Sequence, residues 1–293
     1  MLYFCLFCFY FPSMHWRTSR RTITLERALV MGVINITPDS FSDGGSFLSP
    51  DDALRQAEKL LDDGADIIDI GGESTRPGGE PVPAEIELER IAPVIGSVTR
   101  RFDVPISVDT TKSEVARHSI DAGAEIINDI SGLRFDPGMA NVAAETGCGL
   151  ILMHSIGSFT TLHTEPPVPD VFGAVSAAFR ASIAAAAAAG VELDRMVLDV
   201  GIGFGKTLDQ NLELVVKLDR MVKEFPNHPL LIGTSRKSFI GKITGAGSPA
   251  DRLAGSLASA AIAVWNGASI VRVHDVRETR QALQVVEAMK AFI

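Results

Sequence analysis

Residues 29–38 read Leu29-Val30-Met31-Gly32-Val33-Ile34-Asn35-Ile36-Thr37-Pro38. An apolar run of this length that ends in Asn35 and meets Thr37-Pro38 reads as a buried strand running into a turn. A doubly wound nucleotide-binding fold would follow its first strand with a G-x-G-x-x-G turn opening a helix, and no such turn follows here. Outward from this stretch the same strand type recurs at Ile67–Ile70, Ile106–Val108, Glu125–Ile127, Leu150–Met153, Met196–Leu198, Leu230–Ile232 and Ile270–Val273. Segments with helical spacing lie between them: Asp51–Asp63, Ala84–Arg101, Ser113–Ala122, Val171–Ala189, Leu208–Phe225, Asp251–Asn266 and Val276–Phe292. Apolar strands alternating with helices make a parallel sheet covered on its faces. Eight such units over residues 28–293 take about 33 residues each, which suits a barrel of ~250 residues better than an open sheet of five or six strands. The expected fold is α/β, a single-domain (β/α)8 TIM barrel over residues 28–293.

Composition narrows the function. With 27 Lys+Arg against 36 Asp+Glu the net charge is −9, and 46% of the chain is apolar. The chain is neither disordered nor basic enough to seek nucleic acid. Cys5, Cys8 and Cys148 are too few for a disulfide scaffold and fit a reducing, cytoplasmic setting. No stretch approaches the ~20 apolar residues of a membrane span. Residues 1–27 read as a disordered leader, or as the product of an upstream start with Met14 or Met31 nearer the true beginning. The aromatic run Met1–Phe11 precedes Arg17, Arg20 and Arg21, the reverse of a secretory signal.

Barrel enzymes place their sites at the C-terminal ends of the strands. In chain order those ends carry Asn35; Asp69 and the loop Gly71–Arg76; Asp109; Asn128-Asp129; His154; Asp199; Thr234–Ser238; and Arg272–Asp275. A single polar strand end is most simply a helix cap or a turn residue. Eight together make a functional mouth. Asp109, Asn128 and Asp199 can accept from and donate to a flat heterocycle with an amidine-like edge. Arg236, Lys237, Arg272 and His274 bring cations and donors for an anion. Residues 201–207, Gly201-Ile202-Gly203-Phe204-Gly205-Lys206-Thr207, end like a phosphate-binding loop, but Val200 stands where that motif needs glycine, so a tight turn is the better reading.

Seven stretches in order resemble the dihydropteroate synthase family. They are residues 31–45 (MGVINITPDSFSDGG), 69–78 (DIGGESTRPG), Ser107–Thr110, Ile127–Ile130, Gly203–Lys206, Ser235–Ser238 and Arg272–Asp275. The resemblance spans residues 31 to 275 and implies a transferase that condenses 6-hydroxymethyl-7,8-dihydropterin diphosphate with p-aminobenzoate. It implies Asp109, Asn128, Asp199 and Lys237 as pterin-binding residues. Asn35, Arg272 and His274 would hold the diphosphate, with Asn35 the protein ligand of Mg2+. Thr75, Arg76, Pro77, Ser235 and Phe41 would meet p-aminobenzoate, the substrate that sulfonamides imitate. Asp109, Asp199, Lys237, Asp43 and Arg76 would take part in catalysis.

The loops carrying Phe41, Asp43 and Arg76 exceed the usual 2–6 residues of such connections, as lids do. Phe41 is equally readable as a packing anchor. A homodimer with small-molecule substrates, and with neither nucleic acid nor membrane as partner, also follows from the resemblance. Two positions depart from the family pattern. Val200 replaces a proline after Asp199, which leaves that carboxylate less constrained. Ser155 replaces a methionine expected to pack on the pterin. The alternatives are a pterin-dependent methyltransferase barrel, which has no use for the anion-holding groups, and a pterin-binding paralogue without catalysis.

Overall fold

The structure, a computed structural model, describes residues 14–37, 50–76, 79–162 and 164–292. The described chain enters as a small antiparallel hairpin, β1 (His15–Arg17) and β2 (Thr22–Thr24), with Trp16 opposite Ile23. The barrel strands follow, each with its helix: β3 (Leu29–Asn35), α1 (Pro50–Asp62), β4 (Ile67–Gly71), α2 (Ala84–Arg101), β5 (Ile106–Asp109), α3 (Ser113–Asp121), β6 (Ile126–Asp129), α4 (Met139–Thr146), β7 (Gly149–Met153) and α5 (Val171–Ala189). The second part runs through β8 (Met196–Asp199), α6 (Leu208–Val216), α7 (Leu218–Glu224), β9 (Leu230–Ile232), α8 (Ser238–Thr244), α9 (Leu253–Trp265), β10 (Ile270–Val273) and α10 (Val276–Lys290). Strands β3 to β10 pair in parallel in sequence order, and β10 closes on β3. The (β/α)8 barrel expected from the strand count is present.

Three local readings change. The helical stretch over 208–225 divides at Lys217, whose ψ of 28 breaks the ladder into α6 and α7. Helices α4 and α8 were not anticipated, because eight and seven residues are too few to carry a long periodicity. Helix α5 is long and apolar enough by composition to cross a bilayer, contrary to the reading of the sequence. It lies instead on the barrel, burying Val171, Phe172, Val175 and Phe179, while Arg180 pairs with Glu224 at 2.7 Å.

The hairpin corrects the leader boundary at residue 28. Residues 1–13 lie outside the described residues, but 14–27 are built into the fold. Trp16 is fully buried and joins Leu29, Met31, Ile67, Ile126, Ile151, Val197, Leu231 and Ile270, the apolar lining at the N-terminal end of the strands. Its indole N–H donates to Arg195 O at 2.9 Å. The guanidinium of Arg21 grips the buried Glu125 with two bonds of 3.0 and 2.7 Å, and Thr18 Oγ1 donates to the same carboxylate at 2.8 Å. An open barrel bottom would leave that apolar layer in water, and the hairpin covers it. Trp16→Ala should therefore lower stability by about 3–5 kcal/mol in urea unfolding, the usual cost of emptying a large aromatic site.

Strand alternation decides the rest of the interior. Side chains two apart share a face. Moving two residues up from the apolar lining gives Asp69 above Ile67, Asn128 above Ile126, Asp199 above Val197 and Arg272 above Ile270. The inside of the barrel thus changes from apolar at one end to charged at the other within one pleat. Register then levels the rim, pairing Asn35 with Gly71, Gly71 with Asp109, and Asp109 with Asn128.

Candidate active site

Arg272 reaches across the barrel mouth. Its Nε donates to Asp69 Oδ2 at 2.6 Å and its Nη2 to Asp109 Oδ2 at 2.7 Å. Asn128 Nδ2 donates to the same Asp69 oxygen at 3.4 Å. Strands β10, β4, β5 and β6 thereby contribute to one bonded unit, although β10 and β5 are not neighbours in the barrel. The Asp69 side chain is fully buried, and Arg272 retains 22% exposure. A buried cation shared by two carboxylates offsets their mutual repulsion and its own desolvation. Two N–H bonds leave three of the five guanidinium donors for a ligand.

Burial, opposed by Arg272 and reinforced by Asp69, Glu87 and Glu73, pushes the Asp109 carboxyl up from its ordinary range. Burial also raises Asp199, against the Gly201 N–H, Lys237, Lys206 and Arg272. Asp199 is held by that Gly201 N–H, which donates to Oδ1 at 2.8 Å. Val200 is itself fully buried, so the missing proline does not leave Asp199 loose.

Lys237 stands opposite these acids. Its ammonium donates to Ile202 O and lies 4.3 Å from the centre of the Phe204 ring. Burial draws it down to about 8, with Asp199 and Asp109 pulling upward and Arg272 adding to the fall. Lys206 faces inward. Its Nζ donates to Gly201 O at 2.8 Å and to His154 O and Phe204 O at 3.3 Å, and burial first of all lowers it to about 7. All three ammonium protons are used on main chain, which confirms that residues 201–207 are not a phosphate loop. Gly201 has a φ of +67, and a Cβ there would stand 1.9 Å from His154 O, so glycine is required.

Ser235 and His274 are coupled. Ser235 Oγ accepts the His274 backbone N–H at 3.2 Å and lies 3.1 Å from His274 Nδ1. When the Ser235 hydroxyl donates to Nδ1, the neutral ring carries its proton on Nε2 and presents it as a donor. Burial, with Arg272 and Arg236 next, lowers His274 to about 3, so it is neutral. The charge of Arg76 is also felt at His274, which ties the loop after β4 to this side of the mouth.

Ten of the thirteen site residues expected from sequence lie at this rim: Asn35, Thr75, Arg76, Asp109, Asn128, Asp199, Ser235, Lys237, Arg272 and His274. Phe41, Asp43 and Pro77 lie outside the described residues. Arg236 is corrected from a ligand-holding cation to a structural one. It has a left-handed φ of 58, and its Nε bonds Asp275 Oδ2 at 3.0 Å. Asp129 is structural as well, accepting the Ser131 and Leu133 N–H groups at 2.8 and 2.7 Å. Ser155 accepts from Arg134 Nη2 at 2.7 Å, so this departure from the family pattern holds a loop. Asp69 and Asp129 read from sequence as structural groups that orient their neighbours, and Asp69 does so by accepting from both Arg272 and Asn128; the sequence reading missed Lys206 and Arg134.

Among the described residues no three His, Cys, Asp or Glu side chains could hold a metal by themselves. A Mg2+ ion here would need most of its oxygens from a ligand. Asn35, half-buried at the end of β3, offers a hard amide oxygen of the type that suits such an ion.

The family described as pterin binding enzyme matches residues 31–274. The dihydropteroate synthase of Escherichia coli (strain K12) is 49% identical over 269 residues, covering 91% of this chain and 93% of its own. The solved dihydropteroate synthase of Xanthomonas albilineans with 4-aminobenzoic acid superposes with a TM-score of 0.89 at 42% identity, covering 95% of this chain and 99% of that one. The Yersinia pestis dihydropteroate synthase, in a sulfonamide drug complex, superposes equally well at 0.89 and 43% identity, covering 96% and 100%.

Proposed function

Because the chain belongs to the family of pterin-binding enzymes, we infer that it works as a dihydropteroate synthase in folate biosynthesis. This transferase joins 6-hydroxymethyl-7,8-dihydropterin diphosphate to p-aminobenzoate and releases diphosphate with 7,8-dihydropteroate. The observation that carries the reading is the unit of Arg272, Asp69, Asp109 and Asn128 bonded across the mouth, with Lys237 and Asp199 facing it.

In this reading Asp109, Asn128 and Asp199 accept from and donate to the amidine edge of the pterin, and Lys237 donates to its carbonyl and nitrogen edge. The free N–H groups of Arg272 and the Nε2–H of His274 hold the leaving diphosphate. Mg2+ on Asn35 would add positive charge to the leaving oxygens. As the C–O bond to diphosphate breaks, positive charge grows on the pterin methylene, and the Asp109 and Asp199 carboxylates oppose it. The arylamine lone pair then forms the new C–N bond, and the amine proton leaves. Thr75, Arg76, Pro77, Ser235 and Phe41 are assigned to p-aminobenzoate, and Asp43 to the covering loop.

Diphosphate release, measured with both substrates and with each alone, tests the reaction. It should be sustained only when both are present. No release under any condition would leave a binding paralogue. The pH profile of kcat/KM should be bell-shaped. Its acid limb belongs to Asp109, which must be ionised; since its pKa is raised, activity falls at a higher pH than an ordinary carboxylate near 4 would give. Its alkaline limb belongs to loss of the Lys237 proton near pH 8. Lys237→Arg should remove the alkaline limb, and an unmoved limb would assign it elsewhere.

A homodimer and cytoplasmic residence complete the proposal. Ile262 and Trp265 on α9 and Val285 and Met289 on α10, two helices packed together, present exposed apolar side chains that support the first. A monomer mass in sedimentation at micromolar concentration would remove it. The buried free thiol of Cys148 agrees with the second, and export of the tagged protein would remove that.

A further inference from the structure

Beneath the loop that carries Thr75 and Arg76 lies a cluster whose acids enter the site above only through their charge on Asp109. Lys112 Nζ donates to Glu73 Oε1 at 2.8 Å and to Glu87 Oε2 at 2.6 Å. The Glu87 side chain is fully buried, Glu73 is 5% exposed and Lys112 24%. Glu73 Oε1 also accepts the Val82 N–H at 2.8 Å, so one oxygen draws residues 73 and 82 together. Glu73 stands two residues before Thr75, Glu87 lies in the first turn of α2, and Lys112 stands three residues after Asp109. Arg90 Nη1 adds a bond to Gly72 O at 2.7 Å at the same root. A buried ion cluster need only stabilise a fold. This one instead joins the two ends of a substrate loop to the segment leaving the pterin site.

We propose that Lys112 is a positioning residue for p-aminobenzoate: by holding Glu73 against Val82 and Glu87 it fixes the root of the loop that presents Thr75 and Arg76, without touching either substrate. The proposal rests on the dihydropteroate synthase reading. Fixing a loop that binds ground state and transition state alike acts on KM and leaves kcat in place.

Lys112→Met alone leaves two buried acids unopposed and can fail to fold. Combined with Glu87→Gln, it keeps the cluster at a net charge of about −1, the wild-type balance by residue type. In this double variant KM for p-aminobenzoate should rise on the order of tenfold, with kcat and the pterin diphosphate KM within about twofold. Hydrogen exchange at the Val82 amide should quicken. Glu73→Gln keeps an oxygen for both bonds and should match wild type in both measurements. Faster Val82 exchange with both KM values unchanged, or rising together, overturns the proposal, and so does unchanged exchange. If the wild-type protein itself releases no diphosphate, the reaction reading fails, while Val82 exchange still reports on the clamp.

Discussion

Asp109→Asn should lower kcat by about 10²–10³, the scale of losing one preorganised electrostatic group, while the pterin diphosphate KM changes by less than about tenfold. Asparagine is isosteric with aspartate and keeps one oxygen for the Arg272 N–H, so the bond of 2.7 Å has a neutral successor. What disappears is the negative charge facing the pterin. A charge needed mainly when the methylene becomes cationic is missed mainly in the transition state. Steady-state kinetics with both substrates decides the matter. Equal losses in turnover and in pterin affinity would reduce Asp109 to a binding group. The raised pKa adds a consistency check: because wild-type activity falls as Asp109 takes a proton, the penalty of Asp109→Asn shrinks toward low pH, where both proteins carry a neutral group at this position.

The second large effect belongs to Arg272→Met. It removes the cation between Asp69 and Asp109 and leaves two carboxylates facing one another in a buried rim. Turnover should fall by about 10³ or more, since the variant loses an anion-holding group and misplaces Asp109 together. Stability should fall by about 3 kcal/mol at neutral pH, the lower end for breaking a buried pair, because the guanidinium is partly exposed. The sign with pH follows from linkage. Without Arg272 the folded-state pKa of Asp109 rises further, and a raised carboxylate costs stability as pH climbs above its unfolded value near 4. Urea unfolding should therefore show a larger gap between variant and wild type at pH 8 than at pH 5. A gap independent of pH would mean that the cost is packing rather than charge.

These two residues also show how much of the site was legible beforehand. Asp109 and Arg272 could each be picked from the chain, since each ends an apolar strand and belongs to a recognisable stretch. Their bond could not, because 163 residues separate them and nothing local states which strands lie across the barrel from one another. Lys206 shows the converse. Its motif was visible and the phosphate-loop reading was rejected on the missing glycine; two of its carbonyl partners, Gly201 O and Phe204 O, are local, but the third, His154 O, appears only once β7 and β8 are side by side. The hairpin escaped because Trp16 is followed at once by Arg17, Arg20 and Arg21, where sequence shows charge and not the apolar layer waiting beneath the barrel.

The order of the strands, the eightfold alternation and the polar character of every strand end belong to the sequence itself, because period-two burial and helical spacing are imposed on each short segment by its own backbone geometry. The meetings are a different matter: Arg272 with Asp69 and Asp109, Ser235 with His274, Lys112 with Glu73 and Glu87, and Trp16 with the barrel floor. They depend on how closure and register level distant strand ends at one rim. Side-chain charges are then sorted by burial and by partners that the linear chain never places together.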